Sequence, residues 1–333
     1  MYKKINKYLQ LIVYVMTFIF LPIKALSSEN GSSGYFKVDD QVSIYYEIYG
    51  DENGIPLLVL HGGPGIGLDR KVLSLIDLTK YRVVLFDQRG CGKSTPGGVY
   101  TKNNTQNLIE DIYKLKNYLN IDKFVLFGHS WGSTLGLVYA QKYPETLEKL
   151  VVSGIFLGRK QDDEWFLNSN KLFFPDWFED FAELAKDKND MVTSYYNLLC
   201  REKNPKVVAE AAARFWNFGI PSADLFLSTT ELESKKTAQD MKESDIKNIQ
   251  IFLTYAKNLY YLNENEWLTR NSMSVLDNIP TVIIKGRYDF DSPLEQGYTL
   301  SKLLPNARFI IVEGAGHNKF SKANSKVIRE ALQ

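Results

Sequence analysis

The sequence predicts an α/β protein, a mostly parallel doubly wound sheet interrupted by a helical insertion. Three observations predict it. Short runs rich in branched aliphatic residues recur along the 333 residues, bounded by Gly, Pro or Asp. Segments of helical period fall between several of them. The alternation then stops over residues 158–275, where helix formers and aromatic residues replace the strand runs. Uninterrupted apolar runs of this length suit strands covered on both faces, which is the situation of a parallel sheet.

The elements follow in chain order. Residues 8–23 carry no charge and lie between Lys3, Lys4, Lys7 and Lys24, with the small-residue stretch ALSS after them. This pattern predicts a signal peptide over residues 1–27, because the run is short against the roughly 20 residues of a spanning helix. The expected location is periplasmic or secreted, with no stable membrane association after cleavage; an uncleaved anchor is the alternative. Residues 34–157 and 276–333 form the expected sheet domain. YFKVDDQVSIYYEIYG (35–50) alternates about a polar turn and reads as a hairpin. PLLVL before His61, YRVVLF before Asp87, KFVLF before Gly128, LEKLVVSGI (147–155), PTVIIK before Gly286 and ARFIIV before Glu313 read as buried strands. In NNTQNLIEDIYKLKNYL (103–119), Leu108, Ile112, Leu115 and Leu119 share one helical face, with Asn104 or Thr105 as the cap. Residues 158–275 read as a helical cap, and their position between two strands suggests a lid.

Forty basic against 39 acidic residues, with no dense basic block, exclude nucleic acid as a partner class. Cys91 and Cys200 make no disulfide framework and are expected as free thiols. No metal-ligand spacing appears, and neither a metal nor another cofactor is expected. GCGKST (90–95) resembles the tail of a phosphate-binding loop, but that pattern requires glycine at position 87, where Asp87 stands. Nothing in the sequence specifies an oligomeric state.

The chemistry concentrates at FVLFGHSWGSTLG (124–136), where an apolar run stops at Ser130 within G-x-S-x-G. A strand before and a helix after make this a sharp turn that raises the serine hydroxyl above the sheet, and Gly128 and Gly132 provide the missing bulk. The alternative is a tight turn with an idle hydroxyl. A serine nucleophile needs a base. The chain has three histidines. His129 adjoins the serine and is expected to point away from it, and His61 belongs to the glycine-rich HGGPG. His317 remains, in a loop after the last strand. A carboxylate must fix the imidazole, and the loop after PTVIIK offers Asp289 and Asp291. Asp289, nearer the strand end, is preferred. The chain order Ser130, Asp289, His317 is that of α/β hydrolases. Oxyanion donors are expected from the backbone N–H groups of Trp131 and Gly63, and Gly62 lets the backbone approach substrate.

HGGPG (61–65), DQRGCGKS (87–94), NTQNLIEDIYKL (104–115), GHSWGS (128–133), GRYD (286–289) and GAGH (314–317) together resemble the motifs of the proline iminopeptidase family, in its order. The resemblance implies an α/β-hydrolase fold and a serine peptidase that releases N-terminal proline from small peptides. It implies Ser130, Asp289 and His317 as the catalytic set and favours Asp289 over Asp291, since the family's acid ends a G-R-x-D motif. The cap departs from the family pattern. A W-x-x-W-E element falls on FWNF and Gly219, with Phe215 and Phe218 at the aromatic positions. An E-x-H-Y-F element falls on residues 257–261, with Lys257 in place of the acid. The family's two glutamates bind the substrate's amino group, and neither stands here. Glu210, Glu231, Glu233, Glu264 or Glu266 are the candidate substitutes. The competing expectations are an esterase, lactonase or amidase on small acyl substrates, with Lys257 favouring an acidic group, and a non-catalytic binding protein.

Overall fold

The computed structural model describes residues 31–99, 102–223 and 235–333. The predicted signal peptide lies outside the described residues, and among them no helix is long and apolar enough to cross a membrane.

Eight strands form one sheet in the order β1-β2-β4-β3-β5-β6-β7-β8. β1 (Ser32–Lys37) and β2 (Ser43–Gly50) are the antiparallel hairpin at one edge, and β2 pairs antiparallel with β4 (Tyr81–Phe86). The remaining pairs are parallel, through β3 (Ile55–Leu60), β5 (Phe124–His129), β6 (Leu147–Ser153), β7 (Thr281–Gly286) and β8 (Arg308–Val312). The continuous apolar runs have the reason expected of them. Leu58, Leu60, Val84, Phe86 and Leu126 enter one core beneath helix α1 (Thr105–Tyr118), whereas Leu57, Val59, Val83, Leu85 and Val125 enter a second core on the opposite face. Each such side chain contributes about 1.5–3 kcal/mol when removed from water. Asn104 caps α1 by accepting a hydrogen bond from the Asn107 N–H, so of the two candidates it is the asparagine that holds the helix start.

Between β6 and β7 the described residues form helices and turns and no strand. The longer helices are α3 (Lys160–Leu167), α4 (Pro175–Ala182), α5 (Met191–Tyr196), α6 (Pro205–Phe218) and α7 (Glu243–Lys257), with α2 (Trp131–Lys142) preceding them in the sheet domain. This segment has its own apolar centre, in which Phe181 stacks on Phe218 at 4.3 Å and 4° and on Tyr195 at 4.3 Å and 21°. Helices α8 (Leu294–Leu303) and α9 (Lys322–Ala331) follow β7 and β8. Cys91 and Cys200 are free thiols.

Candidate active site

Because β3 to β8 run parallel, the loops after their carboxyl ends meet on one edge of the sheet, where open α/β sheets place their sites. His61 follows β3, Asp87 follows β4, Ser130 follows β5, Asp289 follows β7 and His317 follows β8.

Ser130 sits between β5 and α2 with φ 57° and ψ −127°, a left-handed conformation that a serine adopts only under constraint. The surrounding backbone imposes it. A Cβ on Gly128 would lie 2.1 Å from the Gly132 carbonyl oxygen, and one on Gly132 would lie 2.3 Å from that of Leu60. Only glycine fits either position. Trp131 is the first residue of α2, so its N–H is among those without an intrahelical acceptor. Gly62 faces the serine: a Cβ there would stand 3.2 Å from Ser130 Cβ and 3.7 Å from its Oγ. Gly63 has φ +113° and lies in the same wall.

The three histidines differ by their partners. His61 Nε2 accepts from the Gln88 N–H at 3.0 Å, and Nδ1 lies 2.9 Å from the Gly62 carbonyl, so both ring nitrogens are committed and the ring is the neutral Nδ1–H tautomer. Burial pulls its pKa down to about 4. His129, expected to point away, instead lines the cavity, with its ring 4.9 Å from that of His317 and Nδ1 2.9 Å from Ser153 Oγ. It is packed there because the chain reverses at Ser130 and leaves the residue before it against Gly154. Burial lowers its pKa as well.

His317 has the opposite character. Its Nδ1 lies 2.8 Å from Asp289 Oδ2, which leaves Nε2 as the acceptor nitrogen. Burial works against charging this ring, but the carboxylates of Asp289 and Asp291 outweigh it and raise the pKa above the ordinary value. Asp291 stands on the other side, its Oδ2 3.7 Å from Nε2. The geometry thus separates the two aspartates that sequence hardly distinguishes. Asp289 is fully buried and also accepts from Lys285 Nζ at 2.7 Å and from the Ser292 N–H at 2.9 Å. Burial alone would raise its pKa, yet His317 and Lys285 hold its carboxyl far below the usual carboxylate range. Lys285 is itself buried and donates to Ile155 O, Asp289 and Ser292 Oγ. A lysine within PTVIIK reads as an interruption of an apolar strand, so sequence inspection misses it as the support of the carboxylate.

Gln88 joins the loops. Its N–H and side-chain amide bond to His61, and its Oε1 accepts from Trp131 Nε1 at 3.0 Å. DQRGCGKS is therefore scaffold. Asp87 accepts from the N–H groups of Leu68 and Lys93, and Ser94 Oγ donates to Asp87 O.

Ser130 and His317 open into a cavity of about 800 Å³ between the sheet edge and the helical segment. Phe156, Phe166, Phe215 and Phe252 give it an aromatic wall. Of the candidate substrate contacts, Gly62, Gly63 and Phe215 line it, while two others do not. Phe218 is one helical turn from Phe215 but is turned into the centre of the helical segment against Phe181. Lys257 is exposed, with its ammonium on Thr193 Oγ1 at 2.6 Å. It offers the cavity no positive charge. Of the substitute glutamates, Glu210, which pairs with Arg214, and the exposed Glu264 and Glu266 are not in the wall, while Glu231 and Glu233 lie outside the described residues. Aspartates stand there instead, among them Asp163, Asp245 and Asp291. No group of three or more His, Cys, Asp or Glu among the described residues is arranged to hold a metal.

Residues 55–322 match a family model described as the alpha/beta hydrolase fold. The chain is 36% identical over 289 residues to a probable proline iminopeptidase of Leptolyngbya boryana, covering 86% of this chain and 88% of that one. It is 37% identical over 304 residues to the proline iminopeptidase of Xylella fastidiosa strain 9a5c, with 87% and 92% covered. A solved alpha/beta fold family hydrolase of Bacillus anthracis superposes with TM-score 0.62 at 21% identity, over 91% of this chain and 99% of that one. A proline iminopeptidase-related protein of Thermus thermophilus gives TM-score 0.60 at 20% identity, over 91% and 97%. At these identities the two structures speak for the fold, and the two sequence relatives for the family. The chain belongs to the proline iminopeptidase family of serine hydrolases on the α/β-hydrolase fold.

Proposed function

We propose that this protein is an exported prolyl aminopeptidase that cleaves N-terminal proline from small peptides through an acyl-enzyme on Ser130. The observation that carries the reading is the pairing of His317 Nδ1 with the buried Asp289 carboxylate at 2.8 Å, beside a strained serine in the wall of the same cavity. Ser130 Oγ attacks the carbonyl carbon of the proline residue, and its proton passes to His317 Nε2. Asp289 stabilises the imidazolium without taking the proton. The tetrahedral oxyanion is met by the N–H of Trp131 at the head of α2 and by an N–H of the Gly62–Gly63 turn. Collapse breaks the C–N bond, His317 returns the proton to the leaving amine, and the shortened peptide departs. Water, deprotonated by the same imidazole, then releases free proline and restores the serine.

The aromatic wall suits a pyrrolidine ring, which needs apolar contact on its carbon face. Export is supported by the basic, then uncharged, then small-residue order of residues 1–27. Cell fractionation with N-terminal sequencing tests it: protein confined to the cytoplasm defeats export, and exported protein that retains residues 1–27 defeats cleavage in favour of an anchor.

The catalytic test is a substrate panel of prolyl arylamide and short-chain aryl esters on wild type and Ser130→Ala. Prolyl arylamide turnover that falls by at least about 10⁴-fold in the variant is the expected result. Turnover of the esters alone by wild type makes the protein an esterase on the same machinery. Undiminished turnover by Ser130→Ala removes serine catalysis altogether.

A further inference from the structure

We propose that Asp163, on α3, is the carboxylate that receives the protonated amine of the substrate. The inference rests on the aminopeptidase reading and names a residue for it. Both positions at which the family's amine-binding glutamates fall hold other residues here, Gly219 and Lys257, and Lys257 is outside the cavity. A secondary ammonium drawn into an apolar cavity still requires a countercharge.

The carboxylates in the wall separate by what already engages them. Asp245 pairs with Lys236 at 2.7 Å. Asp69 caps a turn by accepting from the Lys71 N–H and has Lys319 at 4.0 Å. Asp291 accepts from the Ser222 hydroxyl and faces His317 Nε2. Asp163 is buried with 4% exposure, and its hydrogen bond comes from the neutral Tyr260 hydroxyl at 2.6 Å. Among the described residues no lysine or arginine lies within ion-pair reach of it. Arg159, the nearby cation in sequence, is committed to Asp162 and Glu295, both at 2.7 Å. Asp163 is thus a buried carboxylate that lines the cavity and has no cationic partner among the described residues.

Its placement fits the reaction. Tyr260, which holds the carboxylate, stacks on Trp131 at 5.6 Å and meets Phe156 edge-on at 5.1 Å. Trp131 directly follows the nucleophile, and Phe156 lines the cavity. In an N-terminal residue the amine and the carbonyl carbon are separated by a single atom, so amine anchor and nucleophile must serve one end of the same cavity. Burial, reinforced by the neighbouring Asp162 charge, pushes the Asp163 pKa up to about 7, against the hydrogen bond from Tyr260. A bound ammonium supplies the charge that this environment lacks.

The test compares prolyl arylamide with the cyclopentanecarbonyl arylamide, which has the same ring size and no amine. Wild type is expected to prefer the prolyl compound. Asp163→Asn keeps the shape and removes the charge, and is expected to lower that preference roughly 10- to 100-fold, mainly through KM, as for loss of a charged hydrogen bond. Asp163→Glu keeps the charge and retains more of the preference than Asp163→Asn. A merely structural role would lower both rates together and leave the ratio alone. Should Asp163→Asn not fold, Tyr260→Phe carries the test: it removes the donor that orients the carboxylate, and an unchanged ratio overturns the proposal. Wild type that shows no preference for the prolyl compound defeats the aminopeptidase reading. Wild-type preference that persists in Asp163→Asn defeats the assignment of Asp163 alone.

Discussion

The sheet edge and the helical segment face each other across one cavity, and polar groups are held differently in the two. At the edge each group has its position dictated by another: Asp289 by His317, Lys285 and the Ser292 N–H, and His61 by Gln88 and Gly62. On the helical side the wall is aromatic rings, and Asp163 hangs from one phenol. A network of that kind fixes a reaction, because no member can move without unpairing a buried partner. On the reading proposed above, a wall of rings in which Asp245 is paired with Lys236 and Asp163 has no ion-pair partner among the described residues selects what enters.

The largest effect that sharpens this contrast belongs to Asp289→Asn. The amide leaves His317 without its anionic partner and Lys285 without its countercharge, and prolyl arylamide turnover should fall on the order of 10³- to 10⁴-fold. Denaturant unfolding should show a loss of about 3–5 kcal/mol from the stranded lysine. A tenfold loss or less would put the edge on the same footing as the wall. Phe181→Ala tests the other region. Removal of a fully buried ring stacked on Phe218 should cost about 3–5 kcal/mol in urea unfolding, and a cost under 1 kcal/mol would mean that the helical segment has no packed centre of its own.

Asp291→Asn addresses the boundary between them. His317 must be neutral to accept the serine proton, and its raised pKa places the acid limb of kcat/KM above about 6.5, the ordinary histidine value. Asp291 stabilises the charged form, so its neutralisation lowers that pKa and moves the limb towards acid. A limb that stays in place, or moves towards base, contradicts the electrostatics described. The smallest effect is expected of Lys257→Ala, less than about twofold in kcat/KM, since the ammonium lies outside the cavity on Thr193. A larger change would mean that the Lys257 ammonium acts on the substrate despite its place outside the cavity.

Much of the sheet domain was legible in sequence because its signals are local. KFVLF and PTVIIK are short, rich in branched or aromatic residues and bounded by Gly or Pro, and the glycines around Ser130 record a backbone that tolerates nothing larger. The carboxylate choice was harder, since Asp289 and Asp291 are two residues apart and only the loop path sets which one meets Nδ1. The cavity wall was not legible. Phe215 and Phe218 share a helical face, yet a rotation of α6 puts one in the wall and the other in the core. Asp162 and Asp163 are adjacent in a run of charges, and the turn of α3 gives one to Arg159 and the other to the cavity.

The most direct measurement is intact mass spectrometry of the protein after treatment with a fluorophosphonate, followed by peptide mapping. One adduct is predicted, on the peptide that contains Ser130, formed in step with the loss of prolyl arylamide turnover. Full turnover by protein that carries the Ser130 adduct, or inactivation with the adduct on another residue, would contradict the account.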